Sequence, residues 1–201
     1  MTPTRPTVRS ARLDEWRPLG RLLGAAFDDD PVWEWMCPDP NRRRAHLGRM
    51  FGQLIRRPMA SGWVVTTEEL TGAAAWTAPG EWKVRPVDGL RISEPLLRAV
   101  GPTRVRRRLK ALGQMDQHHP AEPHWYLEVI GADPTRRGEG IGSALMAPML
   151  ERIDGEGLPA YLESSKEENL PLYHRFGFEV LDEVRLLPEC PPLWRMWRRP
   201  R

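Results

Sequence analysis

The sequence predicts an α/β layered fold, with a mixed, mostly antiparallel sheet flanked by helices. Three observations carry this expectation. Runs with strand and helix spacing follow one another in the order β-α-α-β-β-(insert)-β-α-β-α-β-β. Residues 124–145 read as a strand, a Pro-marked turn, a glycine-rich loop and a helix start, the unit around which the rest is arranged. A chain of 201 residues, 40% hydrophobic and 28% charged, is long enough for one buried core, so a single domain over 1–201 is expected.

Taken in order, Thr7 to Ala11 reads as a first strand. A helix starts at Leu13-Asp14-Glu15-Trp16, with Leu19, Leu22, Leu23, Ala26 and Phe27 on one face, and ends in Asp28-Asp29-Asp30-Pro31. Val32-Trp33-Glu34-Trp35-Met36 reads as an aromatic loop lining a pocket. The next helix covers Asn41 to Arg56, with Asn41 as N-cap, Leu47, Met50, Phe51, Leu54 and Ile55 inward and the arginines outward. Trp63 to Thr67 and Gly72 to Thr77 form a hairpin. In 78–123, an insert between the third and fourth strands, Pro79, Pro86, Pro95 and Pro102 break the first half and a helix fills about 103–117. After the strand 124–132 and its loop comes a helix over 141–154, kinked at Pro148 at a cost of roughly 3 kcal/mol. A strand at 160–163, a helix at about 167–176 and a closing pair of strands, 178–187 and 193–198, complete the order.

In the loop, Gly138, Gly140 and Gly142 alternate. A helix start leaves its first N–H groups unpaired and carries the positive end of the macrodipole, and glycines let an anion approach the backbone. Two other phosphate loops do not fit. The P-loop ending Gly-Lys-Ser/Thr is absent, and Ser143 stands where a dinucleotide fingerprint has its third glycine.

The run Arg137-x-x-Gly140-x-Gly142, preceded by Asp133-Pro134 and a strand, resembles the acyl-CoA diphosphate loop of the GCN5-related N-acetyltransferase (GNAT) superfamily. The wider pattern resembles its puromycin N-acetyltransferase-like branch. The resemblance implies the acyl-CoA N-acyltransferase fold, with 78–123 as a branch-specific insert, and acetyl-CoA as co-substrate. It implies diphosphate contacts from the backbone of Arg137, Gly138, Glu139, Gly140, Ile141, Gly142 and Ser143, with the Arg136 and Arg137 guanidiniums as charge partners. The pantetheine arm would pair with Ile130, Gly131 and Ala132. An N–H near Ile130, aimed outward by a bulge beside Gly131, would polarise the thioester carbonyl.

The segment Asn169 to Phe178 resembles the superfamily's Tyr-x-x-x-Gly-Phe stretch, whose Tyr protonates the leaving thiolate; here that residue is Tyr173. An ordinary Tyr pKa of about 10 suits a donor. Asn169, one helical turn earlier, shares its face and would contact the cofactor. Many members carry that Asn seven residues before the Tyr, where this chain has Lys166.

Acetyl transfer to an ammonium also needs a base. At period two, His124, Tyr126, Glu128 and Ile130 share one face of the strand. Glu128 is nearest in sequence to the expected acetyl position, and burial would raise its pKa toward the working range. Glu163, in Leu162-Glu163-Ser164-Ser165, is the second candidate and a water chain the third. Asp28, Asp29 and Asp30 either attract a cationic amine or form a solvated turn before Pro31. Asp30, Trp33, Trp35, Trp76 and His124 are the candidate acceptor contacts, Trp82 adds a further flat surface, and the tryptophans serve equally as core.

The expected reaction is acetylation of a primary amine of a small molecule, such as an aminonucleoside or antibiotic-like compound. Acetylation of a protein lysine or α-amine, and a non-catalytic CoA-binding role on the same fold, are the alternatives. Cys37 and Cys190 stand far apart in no metal or disulfide pattern, and His118-His119 before Pro120 reads as loop, so no metal is expected. Arg104, Arg106, Arg107, Arg108 and Lys110 form either a solvated helix face or a partner for the 3′-phosphate of CoA. The net charge is +3, and no RNA motif or zinc-finger spacing accompanies it, so a nucleic-acid partner is not expected. No apolar run reaches membrane-span length, and Met1 to Pro6 has no signal-peptide core. A cytoplasmic monomer or homodimer is the expectation.

Overall fold

The computed structural model describes residues 6–201. Met1 to Arg5, most of the start considered above as a leader, lie outside the described residues. The strands are β1 (Val8–Ser10), β2 (Val64–Thr67), β3 (Gly72–Thr77), β4 (Trp125–Ala132), β5 (Ala160–Ser164), β6 (Glu179–Val184) and β7 (Leu193–Arg198). They form one seven-stranded sheet in the order β1-β2-β3-β4-β5-β7-β6. Among the described residues only the β4–β5 pair is parallel. This is the mixed, mostly antiparallel sheet expected.

The helices are α1 (Trp16–Ala26), α2 (Pro31–Met36), α3 (Pro40–Ala60), α4 (Pro86–Val100), α5 (Val105–His118), α6 (Ile141–Gly155) and α7 (Leu170–Arg175). On one face of the sheet, Leu19, Leu23, Leu47, Phe51, Ile55 and Leu96 from α1, α3 and α4 pack with Ala73, Ala75 and Val129. On the other, Leu145, Met146, Ile153 and Tyr173 from α6 and α7 pack with Trp76, Leu127 and Met196. Covered on both sides, β2 and β3 are buried along their whole length.

Glycines bring α1 and α3 into backbone contact. A Cβ at Gly20 would lie 2.5 Å from the Gly48 carbonyl oxygen, and one at Gly24 2.6 Å from the Gly48 nitrogen. The four-residue spacing of Gly20 with Gly24 and of Gly48 with Gly52 puts each pair on one helix face. The close approach follows.

Several local expectations are corrected. Asp39, not Asn41, caps α3: its carboxylate accepts from the N–H groups of Asn41 and Arg42, with Pro40 in the first turn. Arg43 turns inward, donating to Asp28 and to the Cys37 carbonyl. Residues 31–36 form a helix rather than a loop, because the Asp30 carboxylate accepts from Val32 and Trp33 N–H and Pro31 opens the first turn. The first half of the insert is also helical. Pro86 sits in the first turn of α4, where its missing N–H costs nothing, while Pro95 lies inside the helix. Pro148 lies on the exposed side of α6, which runs through it as one element. A 3₁₀ turn over Glu167–Asn169 replaces the start of the last helix.

Candidate functional site

In the β3–β4 ladder, Ala75 pairs with Val129 and Trp76 with Leu127, which leaves Glu128 unpaired. This one-residue bulge falls at Glu128, not beside Gly131. It changes which face each residue serves. Leu127 and Ile130 both pack on the α6 side, whereas Val129 packs with α1 and α3. Strict alternation put Ile130 on the face of Glu128; the bulge separates them.

On its other edge β4 pairs with β5 only at Trp125–Ala160 and Tyr126–Tyr161. Beyond those pairs the strands part, and the gap opens into a cleft of about 1000 Å³, including its solvent-open part. Ile130, Gly131 and Ala132 line one wall, Lys166, Asn169, Leu172 and Tyr173 the other, and Arg137 and Gly142 the far end. Ala26, Phe27 and Asp30 close over it. Gly131 is obligatory for this approach, since a Cβ there would lie 2.9 Å from the Ala26 Cβ.

The loop at the far end has the backbone of an anion cradle. Gly138 and Gly140 have φ of 85° and 78°, values that L side chains resist, and Gly140 opens α6 from the left-handed region. The first N–H groups of α6, those of Ile141, Gly142 and Ser143, have no acceptor inside the helix. Neither they nor those of Arg137, Gly138 and Gly140 bond to another described residue. Glu139 and Arg136 pair with each other at 2.8 Å, and Arg136 is also held by Glu69, so Arg136 is engaged away from the cleft. Arg137 and Lys166 share one carboxylate: Asp29 lies 2.7 Å from Arg137 Nη2 and 2.6 Å from Lys166 Nζ. Those two cations lower the Asp29 pKa, Lys166 most.

Tyr173 reaches the cleft from α7. Arg198 holds this corner by a bidentate pair with Asp154 at 2.6 and 2.7 Å and by donation to the Phe176 carbonyl. The Tyr173 ring packs on Phe178 at 6.2 Å. Burial, then the nearby Asp30 carboxyl, push the hydroxyl pKa upward, so it stays a donor. Asn169 ends the 3₁₀ turn before α7; its side chain makes no capping bond, and it lines the cleft.

Across β4 lies a second, narrower pocket. Glu128, Thr77, Trp63, Trp76 and Trp82 line it with Arg57, Glu81 and Asp88. Thr77 Oγ1 donates to Glu128 Oε2 at 3.2 Å. Burial pushes the Glu128 carboxyl up to about 7, opposed by the Thr77 bond and Arg57. Glu163, on β5, is also pushed up by burial, against the hydroxyls of Tyr126 and Tyr161. Glu81 is paired with Arg57, and Asp88 with Arg85 and Arg91. The Trp76 indole is buried, with its Nε1 lacking an acceptor.

Other candidates stand elsewhere. Trp33 packs edge-on against Phe51 at 5.2 Å, and the Arg108 guanidinium lies 3.3 Å above the Trp35 ring, so α2 turns both indoles into packing. Asp30 is spent as the α2 cap and on the Ser165 hydroxyl, and Asp28 on Arg43 and Arg44. No one cation seat forms from the three aspartates. Of the basic run, Arg108 is buried while Arg104, Arg106, Arg107 and Lys110 are exposed, Arg107 pairing with Glu189 at 2.6 Å. Cys37 and Cys190 are buried free thiols. His118 ends α5 and His119 lies in the bend after it, in a loop as expected, but the His119 side chain is buried with His124 behind Trp82. Sequence reasoning passed over Thr77, Arg57 and the Asp29 bridge, whose roles arise only from long-range contacts.

A family model described as the acetyltransferase (GNAT) family matches residues 28–178. The chain belongs to the GNAT acetyltransferase family. It is similar to an uncharacterised N-acetyltransferase of Schizosaccharomyces pombe, 27% identical over 92% of this chain and 80% of that one. A crystal structure from Corynebacterium glutamicum, described as histone acetyltransferase HPA2 and related acetyltransferase, superposes with a TM-score of 0.71 at 26% identity over 98% of both chains. A Drosophila melanogaster polyamine N-acetyltransferase shares the fold, with a TM-score of 0.64 and 14% identity over 96% of this chain and 99% of that one. Among the described residues of this GNAT protein, no helix is long and apolar enough to cross a membrane, and no group of three or more His, Cys, Asp or Glu could hold a metal.

Proposed function

We propose that this GNAT protein transfers an acetyl group from acetyl-CoA directly to the primary amine of a small molecule. The observation that carries the reading is the arrangement across the Glu128 bulge. A carboxyl with a pKa of about 7 lies on one side of β4 and a protonated Tyr173 hydroxyl on the other, at a gap in the sheet.

Acetyl-CoA, when bound, supplies an activated acetyl thioester. The unpaired N–H groups of Arg137, Gly138 and Gly140 to Ser143 would hold its diphosphate, and Ile130, Gly131 and Ala132 its pantetheine arm. Glu128 takes a proton from the ammonium of the acceptor, making its nitrogen lone pair available. Tyr173 Oη gives a proton to the departing sulfur. The pocket of Trp63, Trp76 and Trp82 favours a slender amine over a folded protein surface. Acetylation of aminonucleosides, as in the puromycin-type branch, belongs to the same reading, as does a cytoplasmic location.

The test is thiol release from acetyl-CoA across a panel of puromycin, aminoglycosides, agmatine and polyamines, arylalkylamines and lysine peptides. Turnover of at least one small amine is the expected result. Release with peptides alone would make the protein a protein acetyltransferase. Binding of acetyl-CoA with no transfer to any amine would make it a CoA-binding protein without this chemistry.

A further inference from the structure

The turn that roofs the cleft proposed for acetyl-CoA is tied down by three consecutive carboxylates, each to different partners. Asp28 pairs with Arg43 and Arg44 of α3. Asp30 caps α2 and accepts from the Ser165 hydroxyl. Asp29 bridges the two lips of the cleft. Its Oδ2 accepts from Arg137 Nη2 at 2.7 Å, on the side of the glycine loop, and its Oδ1 from Lys166 Nζ at 2.6 Å, on the side of the β5–α7 turn. Both cations line the cleft. Among the described residues neither has a second carboxylate within ion-pair distance.

This seat suits a phosphate better than it suits Asp29. The two cations take one oxygen each from a single carboxylate, and a phosphate offers the same fork of oxygens on one centre. One carboxylate faces two positive charges, so the seat keeps a positive excess that the second charge of a diphosphate would neutralise. Beside Arg137 stand the unpaired N–H groups of Gly138 and Gly140 to Ser143 and the positive end of α6, which favour an anion on the same lip. Glu168, on the opposite wall, is exposed and pairs with neither cation. The side chains of Asp29 and Arg137 are 56% and 66% exposed, and an ion pair in contact with water is weakly held. Lys166 is 16% exposed, so its ammonium has little room to turn elsewhere.

We infer that Asp29 is an internal competitor for a phosphate seat between Arg137 and Lys166: its carboxylate straps the mouth of the cleft and yields both cations to a phosphate of the coenzyme. This rests on the acetyl-CoA reading of the cleft. Lys166 thereby becomes a coenzyme-binding residue, reaching the phosphates from the lip opposite the glycine loop. The exchange is ionic throughout. Two ion pairs to Asp29 are given up for two to phosphate, and Asp29 passes to water, where an exposed carboxylate is well solvated. Asp28 and Asp30 keep the turn anchored meanwhile, so one tie of the roof is exchanged and two remain. Because the two pairs must be broken first, Asp29 lowers the affinity of the cleft for phosphate-bearing ligands and leaves its affinity for phosphate-free ones untouched.

The test measures binding to the full chain, with acetyl-CoA by calorimetry and inorganic pyrophosphate by thermal shift, and compares the parent with Asp29→Asn, Lys166→Met and the double variant. Asn keeps the shape of Asp29 and removes its charge. Asp29→Asn should bind both ligands about three- to tenfold more tightly at low salt, with a smaller gain at high salt, where exposed pairs are screened. Lys166→Met should bind both about fivefold more weakly. In the double variant the gain from Asp29→Asn should shrink, because one of the two cations is gone. S-Acetylpantetheine, which carries no phosphate, should bind the parent and Asp29→Asn alike. Unchanged or weaker binding of acetyl-CoA and pyrophosphate by Asp29→Asn would overturn the competitor. An equal gain for S-acetylpantetheine would overturn it too, by making Asp29 a steric strap alone. If acetyl-CoA does not bind while pyrophosphate binds Asp29→Asn more tightly than the parent, the coenzyme reading falls and the phosphate seat stands. If neither ligand binds the parent or Asp29→Asn, both fall.

Discussion

A carboxyl titrating near neutrality must be kept from water, and Glu128 is kept from it by position: the bulge turns it into a pocket walled by three indoles. With its pKa at about 7, kcat/KM should fall about tenfold per pH unit below that value. Glu128→Gln should remove this limb and about 10²–10⁴-fold of the rate, read from a pH–rate profile. The same shift has a stability sign. A carboxyl whose pKa is raised on folding stabilises the fold fully below the ordinary value of 4.5, and that contribution is lost as pH rises through about 7. Glu128→Gln should therefore match or exceed the parent in Tm above pH 7 while losing activity. Tyr173→Phe tests the acid separately: turnover should drop about 10²-fold or more with acetyl-CoA affinity little changed, checked by single-turnover kinetics and calorimetry.

At the scale of elements, the crossing of α1 on α3 decides where the cleft roof sits, because α1 ends in Ala26 and Phe27 above it. Ala is the better helix former by about 1 kcal/mol, so propensity alone predicts that Gly24→Ala stabilises. The added Cβ would meet backbone atoms at 2.6 and 2.7 Å, and backbone cannot swing aside as a side-chain tip can. The expected outcome is a loss of about 1–3 kcal/mol in chemical denaturation. This crossing was not legible in the sequence, where glycines four apart look like gaps in the apolar face of α1. The Asp30 and Asp39 caps explain two other differences: each side chain satisfies two N–H groups, Asp30 starting α2 where an aromatic loop was expected and Asp39 starting α3 ahead of its expected cap at Asn41. Strands fared better. Apolar and β-branched runs such as Trp63 to Thr67 and Leu193 to Arg198 reflect burial, which local sequence records directly. The bulge was misplaced because a bulge is a relation between two strands, and only the ladder to β3 reveals it.

For the molecule as a whole, the glycine loop and the Tyr173 segment were readable because each depends on contiguous residues. The narrow pocket was not. Its walls come from α3, the β3 end, α4 and β4, brought together across more than seventy positions. The buried imidazoles escaped for the same reason. A whole-chain readout of the cleft proposed for acetyl-CoA is ligand-linked stability. At a hundred times its Kd, acetyl-CoA should raise stability by about 2.7 kcal/mol. For a chain of this size that corresponds to roughly 5–10 °C in a thermal scan. No shift with acetyl-CoA, while free coenzyme A shifts fully, would indicate a cleft that rejects the acyl end.

The bulge also has an arithmetic meaning. A regular strand sorts its residues by parity, odd numbers to one side and even to the other. The extra residue at 128 resets the count partway along β4, so that Leu127 and Ile130, of unlike parity, share a side. No substitution can undo this, since any side chain preserves the count. A one-residue deletion at 128 can. It would mend the ladder, since Leu127, Val129 and Ile130 already pair with consecutive residues of β3 and alternate in face. The tail would keep its neighbours while the Glu128 carboxyl is lost. The bulge is therefore a place where one residue is carried by the strand without being needed by the sheet, and the proposed base stands at that place.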